Sequence, residues 1–378
     1  MTTLKKKRTF EYVLFTIMIF LTIFGLIVLY SASSVEGRRL YDNPMYFFMR
    51  QSIFCTSGLL IALFISVFPY NIYLKFSKYI YIFVLVLVVM TAFSGRISRG
   101  ASRWINLRGV TFQPSELMKL ALILYIPKVL KEVHCDFENR DNFIRILIVA
   151  YVPTFVVALT NLSTGIILFI IATSMLFLVS KKKLVFVFIL TIFVIAYLFA
   201  YDFAKILNTA GLLKGYQMGR IFAWKDAENY PDVAYQTLQG LYAIGSGQVF
   251  GRGYLNSIQK NILPEAQNDM IFAVLSEELG LVGALLFLVL YFLLIFRIFY
   301  IASKQTDLIP LLITFGIGMH LAIQVTLNVS VVTNLMPNTG VTLPFVSYGG
   351  TSLIATFIEM GIVMQMSKNI VKEKQVGE

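Results

Sequence analysis

Long apolar runs alternate with short polar connections along almost the whole chain. Runs of about 17–25 apolar residues are what an α-helix needs to cross roughly 30 Å of hydrocarbon. Read that way, the pattern predicts ten spans, near 12–31, 51–68, 79–94, 114–130, 143–160, 162–180, 184–203, 270–298, 308–331 and 343–366. The fifth and sixth are separated by little more than Thr160-Asn161-Leu162-Ser163, which predicts a tight turn at one membrane face. The expected fold is an all-α polytopic membrane protein, a single transmembrane domain over residues 1–378, with a large extracytoplasmic loop at 204–269 between spans seven and eight.

Composition supports this. The chain is 58% apolar and 14% charged, against about 45–50% and about 25% for soluble domains. That leaves too little polar surface to cover a soluble fold. The two cysteines, Cys55 in an apolar run and Cys135 in a polar loop, exclude a disulfide framework or thiolate metal site. A Lys5-Lys6-Lys7-Arg8 cluster precedes an apolar stretch from Val13 to Tyr30. That stretch is longer than a signal-peptide core of about 7–15 residues, so it reads as an uncleaved first span.

The net charge of +12 comes from 32 basic and 20 acidic residues. It arrives in short clusters between spans rather than as a basic face, so it encodes topology and implies no nucleic-acid partner. Placing the N-terminus inside puts six clusters on one side: Lys5 to Arg8, Lys75 with Lys78, Lys128 to Arg145, Lys181 to Lys183, Arg297 with Lys304, and Lys368 to Lys374. Together they hold eighteen basic residues. Both termini are then expected to be cytoplasmic.

Two outer loops stand apart. Arg96, Arg99, Arg103 and Arg108 lie between spans three and four with no acidic residue among them. That is the wrong side for four cations unless an anion meets them, and a phosphate-bearing ligand and anionic headgroups are level candidates. The stretch from about Ala204 to Asn268 is rich in aromatics and glycine, including Phe222, Trp224, Tyr235 and Tyr254. A loop of that length and complexity is expected to fold over the outer mouth and carry function.

Ionisable side chains at membrane depth are costly and therefore functional candidates. Glu116 and Lys119, three apart on one helix, suit either mutual neutralisation or a substrate role. Glu277 and Glu278 are adjacent, about 100° apart on a helix, so at most one is expected to face the interior, in a structural role. Glu359 has no evident partner. Asp269 sits where the long loop enters span eight, where partial desolvation would suit a general base. From position alone, a helix cap is the favoured reading of it. Gly245 to Gly253 has the composition of a phosphate-binding loop but lacks a βαβ setting, so a glycine-lined turn with close backbone approach is expected. Pro344 to Gly350 reads as a helix break or a cavity-lining segment.

Four blocks, in order, resemble the SEDS family (shape, elongation, division and sporulation), whose members include RodA, FtsW and SpoVE. They are RGASRWINLRGVTFQPSELMKL at 99–120, YQTLQGLYAIGSGQVFGRG at 235–253, LPEAQNDMIFAVLSEELGLVGA at 263–284 and PNTGVTLPFVSYGGTSL at 337–353. The resemblance implies a peptidoglycan glycosyltransferase using lipid II. It assigns Asp269 the place of the essential aspartate, reversing the cap reading. It puts Arg103, Trp104, Glu116, Lys119, Glu265, Ser347, Tyr348 and Gly349 among the substrate-binding residues. The chain departs from the family pattern at Gln248, at Gln267-Asn268 and Met270 beside the aspartate, and at Leu159 to Thr164, where a common acidic position is missing.

The implied reaction is inverting transfer at the outer leaflet. Asp269 activates an acceptor hydroxyl, while Arg103 and Lys119 offset charge on the departing pyrophosphate, with a divalent cation (Mg or Mn) a candidate helper and no nucleotide needed. A class B penicillin-binding protein is the partner the resemblance implies, alongside other divisome or elongasome membrane proteins. Two alternatives stand: a lipid II flippase, and a non-enzymatic scaffold of the cell-wall synthesis complex.

Overall fold

The computed structural model describes residues 11–94, 96–98, 101–107, 110–209, 215–368 and 370. The chain begins with α1 (Tyr12–Tyr41), α2 (Tyr46–Ile65) and α3 (Tyr70–Ser94), then three short strands, β1 (Arg96–Ser98), β2 (Ala101–Leu107) and β3 (Val110–Phe112). Next come α4 (Pro114–Glu132), α5 (Arg140–Thr160), α6 (Leu162–Val179) and α7 (Lys183–Leu198). The long loop holds α8 (Ala200–Thr209), α9 (Gly215–Lys225) and α10 (Pro231–Gly247), and α11 (Ile271–Ser303), α12 (Leu308–Val332) and α13 (Gly350–Ser367) complete the chain. Among the described residues, seven helices (α1, α2, α3, α5, α6, α11 and α12) are long and apolar enough to cross a membrane, as in a multi-pass membrane protein.

Three expectations need correction. The fold is not purely helical: the arginine-rich loop forms an antiparallel sheet in the order β1-β2-β3, with Ser98 opposite Ala101 and Leu107 opposite Val110. Strand-forming residues such as Ile97, Trp104, Ile105 and Val110, with only Arg99-Gly100 and Arg108-Gly109 between the paired ends, carry the two-residue hairpin signal. Second, α1 runs on to Tyr41, ten residues past the predicted span end at 31, until Asp42 adopts a left-handed φ of 52°, its N–H bonding the Arg38 carbonyl while Asn43 N–H bonds that of Gly37. Hydropathy reports lipid depth, whereas helix length is set by such a stop. Third, the last helix starts at Gly350 rather than near 343, because Pro344, Phe345 (φ 63°) and Gly349 turn the chain first.

The expected tight turn is present. Asn161 ends α5 and caps α6, its side chain accepting from the Thr164 N–H at 3.3 Å.

Helix α4 lies at the centre, buried along most of its length and packed by α3, α5, α6, α12 and α13. Basic side chains gather at one end of the bundle. Lys128 Nζ reaches the Lys75 carbonyl (3.5 Å), Lys182 that of Phe137 (3.1 Å) and Lys368 that of Ser66 (2.7 Å), while Arg145 pairs with Glu132 and Arg297 with Glu11. The small sheet, α8 to α10 and the entry to α11 lie at the opposite end.

The glycine-rich segment fastens that second end. Helix α11 breaks at Gly280 (φ 69°, ψ −171°), and the break is filled by backbone from the preceding loop. Arg252 N–H bonds the Glu277 carbonyl and Gly253 N–H that of Glu278, both at 2.9 Å, while Leu281 N–H returns to Gln248 O at 2.9 Å. A Cβ on Gly251 would stand 2.2 Å from the Glu278 carbonyl oxygen, and one on Gly247 2.1 Å from that of Ser276. The segment is a backbone clasp, as the glycine-lined-turn reading expected.

Both Glu277 and Glu278 are buried, where at most one was expected to face the interior seam and the other to meet a polar loop or lipid headgroups. Glu277 accepts from Ser246 Oγ (3.1 Å), Ser257 Oγ (2.5 Å) and the N–H groups of Ile258 (3.0 Å) and Gln259 (3.2 Å). Glu278 pairs with Lys260 (3.3 Å) and accepts from Ser31 of α1. The loop folds over both carboxylates, so the helical wheel alone misjudged the second.

Candidate active site

Asp269 stands one residue before the first turn of α11. The N-cap there is Met270, whose side chain makes no capping bond, so Asp269 does not occupy the cap position. The aspartate keeps 7% of its surface exposed, against none for Met270 and Ile271. Its Oδ1 accepts from Gln236 Nε2 of α10 at 3.2 Å. Gln236 is itself oriented, because its Oε1 accepts from Asn338 Nδ2 at 2.8 Å and its Nε2 also reaches the Pro264 carbonyl at 3.2 Å. Asn338 is held in turn: its Oδ1 accepts from Gly340 N–H (3.2 Å) and its carbonyl from Arg220 Nη1 (3.2 Å). Gly340, at φ 71°, brings main chain so close that an added Cβ would lie 3.6 Å from Asp269 Oδ2.

The approach to Asp269 is fixed by three successive carbonyls. Gln267 O accepts from Tyr348 N–H (2.8 Å), Asn268 O from Ser347 Oγ (2.5 Å) and Asp269 O from Asn328 Nδ2 (2.8 Å). Glu265, at φ 59°, closes the preceding turn by accepting from the Asn268 side chain. Gly349 N–H reaches Gln51 Oε1 at 3.4 Å, and Gln51 Nε2 donates to the Ser347 carbonyl at 3.0 Å. Four expected substrate-binding residues, Glu265, Ser347, Tyr348 and Gly349, therefore use these groups to build the loop under the aspartate.

Glu116 and Lys119 form the expected pair at 3.0 Å. Lys119 is 1% exposed and donates also to Gln324 Oε1 (2.9 Å), while Glu116, 13% exposed, accepts from Ser352 as well. Glu359 finds the partner that was missing: His320 Nδ1 lies 2.8 and 2.9 Å from its two oxygens. The backbones of Arg103 and Trp104 run in β2. Their side chains, like Arg99 and Arg108, lie outside the described residues. No three His, Cys, Asp or Glu side chains converge among the described residues, so the donor set does not fit a dedicated metal cage.

Gln236, Asn328, Asn338 and Arg220 were not singled out from sequence. Gln236 and Asn338 lie inside two of the motif blocks; Asn328, an amide in an apolar span, carried its own signal.

The family model described as "cell cycle protein", covering FtsW, RodA and SpoVE, matches residues 11–372. The chain belongs to this family. Among its FtsW, RodA and SpoVE relatives, stage V sporulation protein E of Bacillus subtilis is 34% identical, over 96% of this chain and 98% of that protein. The probable peptidoglycan glycosyltransferase FtsW of Trichlorobacter lovleyi is 32% identical, over 96% and 94%. Two solved structures share the fold. One, described as structural coordination of polymerization and crosslinking by a peptidoglycan synthase complex, aligns with a TM-score of 0.76 at 24% identity, covering 97% of this chain and 99% of that one. The rod shape determining protein RodA of Thermus thermophilus aligns at 0.68 and 24%, with the same coverage.

Proposed function

We propose that the chain polymerises lipid II into glycan strands at the outer leaflet, in division, elongation or sporulation, as an inverting peptidoglycan glycosyltransferase. The observation that carries this reading is the Asp269 carboxylate, oriented by Gln236 at the end of the bundle opposite the basic cluster. Ten spans with both termini cytoplasmic would turn that end outward. Asp269 takes the proton from the acceptor hydroxyl. The oxygen then attacks the anomeric carbon of the donor, the bond to pyrophosphate breaks, and undecaprenyl pyrophosphate leaves, converting an α linkage into a β-1,4 bond.

Arg103, on the sheet beside the site, is assigned the charge building on the pyrophosphate, and Trp104 the sugar face. Lys119 changes role relative to the sequence-based expectation. Its buried ammonium is taken up by Glu116 and Gln324, so it holds Glu116 rather than meeting the pyrophosphate. A Mg or Mn ion would arrive on substrate phosphates, since such ions require only one or two carboxylates when phosphate supplies the rest. The resemblance to a complex whose description joins polymerization to crosslinking supports a class B penicillin-binding protein as partner. The flippase and scaffold alternatives give Asp269 no proton to move.

The test is purified protein in detergent with lipid II and Mg, with product scored on a gel. Wild type is expected to make glycan and an equally folded Asp269→Ala variant none. Equal polymer from both would overturn the site, and lipid movement in sealed vesicles without polymer would favour the flippase.

A further inference from the structure

One face of α12 carries His320, Gln324 and Asn328 at successive four-residue steps, which places them in a row along the helix. All three are buried, in a setting where an unmatched polar group costs several kcal/mol by general estimates. Each is matched to a different element. His320 Nδ1 meets Glu359 of α13. Gln324 Oε1 accepts from Lys119 of α4 (2.9 Å) and lies 2.6 Å from His320 Nε2, while its Nε2 donates to the Thr342 carbonyl (3.0 Å). Asn328 Nδ2 donates to the carbonyls of Asp269 and Val341, both at 2.8 Å.

We infer that His320 and Glu359 are positioning residues of the transfer site: through Gln324 they aim the Lys119–Glu116 pair and, one helical turn on, brace the main chain that carries Asp269. The inference rests on the glycosyltransferase reading for its kinetic consequence only. The hydrogen bonds fix the logic. Gln324 Oε1 is purely an acceptor, so the imidazole proton facing it must sit on Nε2. Nδ1 and the Glu359 carboxyl then share one proton, whichever of them carries it. Without the carboxyl, Nδ1 loses its partner and the bond to Gln324 Oε1 is left to hold that tautomer alone. Once Nε2 becomes an acceptor it repels Gln324 Oε1, and a flipped amide would turn its NH2 toward the Lys119 ammonium.

Two measurements test this. Glu359→Leu and His320→Leu should each lower kcat for lipid II polymerisation by about 10- to 100-fold with KM changed less than about 3-fold, because misaiming acts on the transfer step. The double variant should be no worse than either single one. Glu359→Gln, whose amide N–H can still donate to Nδ1, should restore kcat to within about 3-fold of wild type. The second readout needs no activity. The chain has two histidines, so in a His134→Gln background 15N-labelled histidine reports on His320 alone. The Nε2–H tautomer is expected to be the sole form in wild type and Glu359→Gln, with an Nδ1–H fraction appearing in Glu359→Leu. An Nδ1–H tautomer in wild type, or equal kcat losses in Glu359→Gln and Glu359→Leu, would overturn the inference. A wild type that makes no glycan while keeping the tautomer pattern would instead overturn the enzymatic reading and leave the bracing role standing.

Discussion

Gln236 Nε2 donates to Asp269 Oδ1 across 3.2 Å, joining the last helix of the long loop to the residue that opens α11. A hydrogen bond to a charged group is worth about 1.5–3 kcal/mol. Gln236→Ala is therefore expected to lower kcat/KM for glycan formation by about 10- to 100-fold with the folded yield unchanged. Gln236→Glu, which sets a second carboxylate against the first, should lose more. Full turnover by the alanine variant would show that the aspartate needs no such orientation.

The clasp at the kink in α11 gives a sharper expectation for stability. Gly251 has φ 79°, and a side chain there would meet the Glu278 carbonyl at 2.2 Å. Backbone cannot yield as a flexible side chain would, so Gly251→Ala should cost roughly 3 kcal/mol or more. The check is a thermal unfolding midpoint in detergent, with Gly245→Ala as comparison, since nothing lies within 4 Å of a Cβ at that position.

Glu277 satisfies two hydroxyls and two main-chain N–H groups in a buried turn. Glu277→Leu removes the acceptor of Ser257 Oγ and of the two N–H groups, each worth about 1–3 kcal/mol when buried, while Ser246 Oγ keeps the Ala243 carbonyl. Glu277→Gln keeps one acceptor oxygen and should fall between the leucine variant and wild type. Limited proteolysis of the 254–262 segment reads the order; equal resistance in all three proteins would remove the carboxylate from this role.

A fourth expectation concerns pH. Main-chain N–H bonds from Asn139 and Glu138 hold the Asp136 carboxyl below its ordinary range, in the loop between α4 and α5. A folded value below the unfolded one means the stabilisation is present above the usual carboxylate range and disappears as pH falls through the folded value. Asp136→Asn should therefore lower the unfolding midpoint at neutral pH and flatten the acid limb, with the two proteins converging as pH falls from 7 toward about pH 3.

Seven of the expected spans were legible because hydropathy repeats on a scale no soluble fold tolerates, and the Asn161 turn because Thr160, Asn161, Ser163 and Thr164 interrupt two apolar runs. The strands were not, since β1 and β3 have three residues each and carry almost no periodicity, and the Arg-Gly pairs between the strands read first as charge. Asp269 was visible by position and resemblance. Its supports were harder to see: Gln236, Asn338 and Arg220 come from separate stretches of chain, and only folding brings them together. His320 was overlooked for a related reason. Histidine stands outside a count of Lys, Arg, Asp and Glu, yet it supplied the partner that Glu359 lacked.

Three consecutive peptide oxygens, from Gln267 to Asp269, are each tied to a donor from elsewhere in the chain. Chimaeras between this protein and its relatives should therefore respect that stitching. Residues 264–270, 328 and 337–349 would have to be grafted as one piece, because exchanging any one stretch alone would leave its former donors or acceptors facing a foreign backbone.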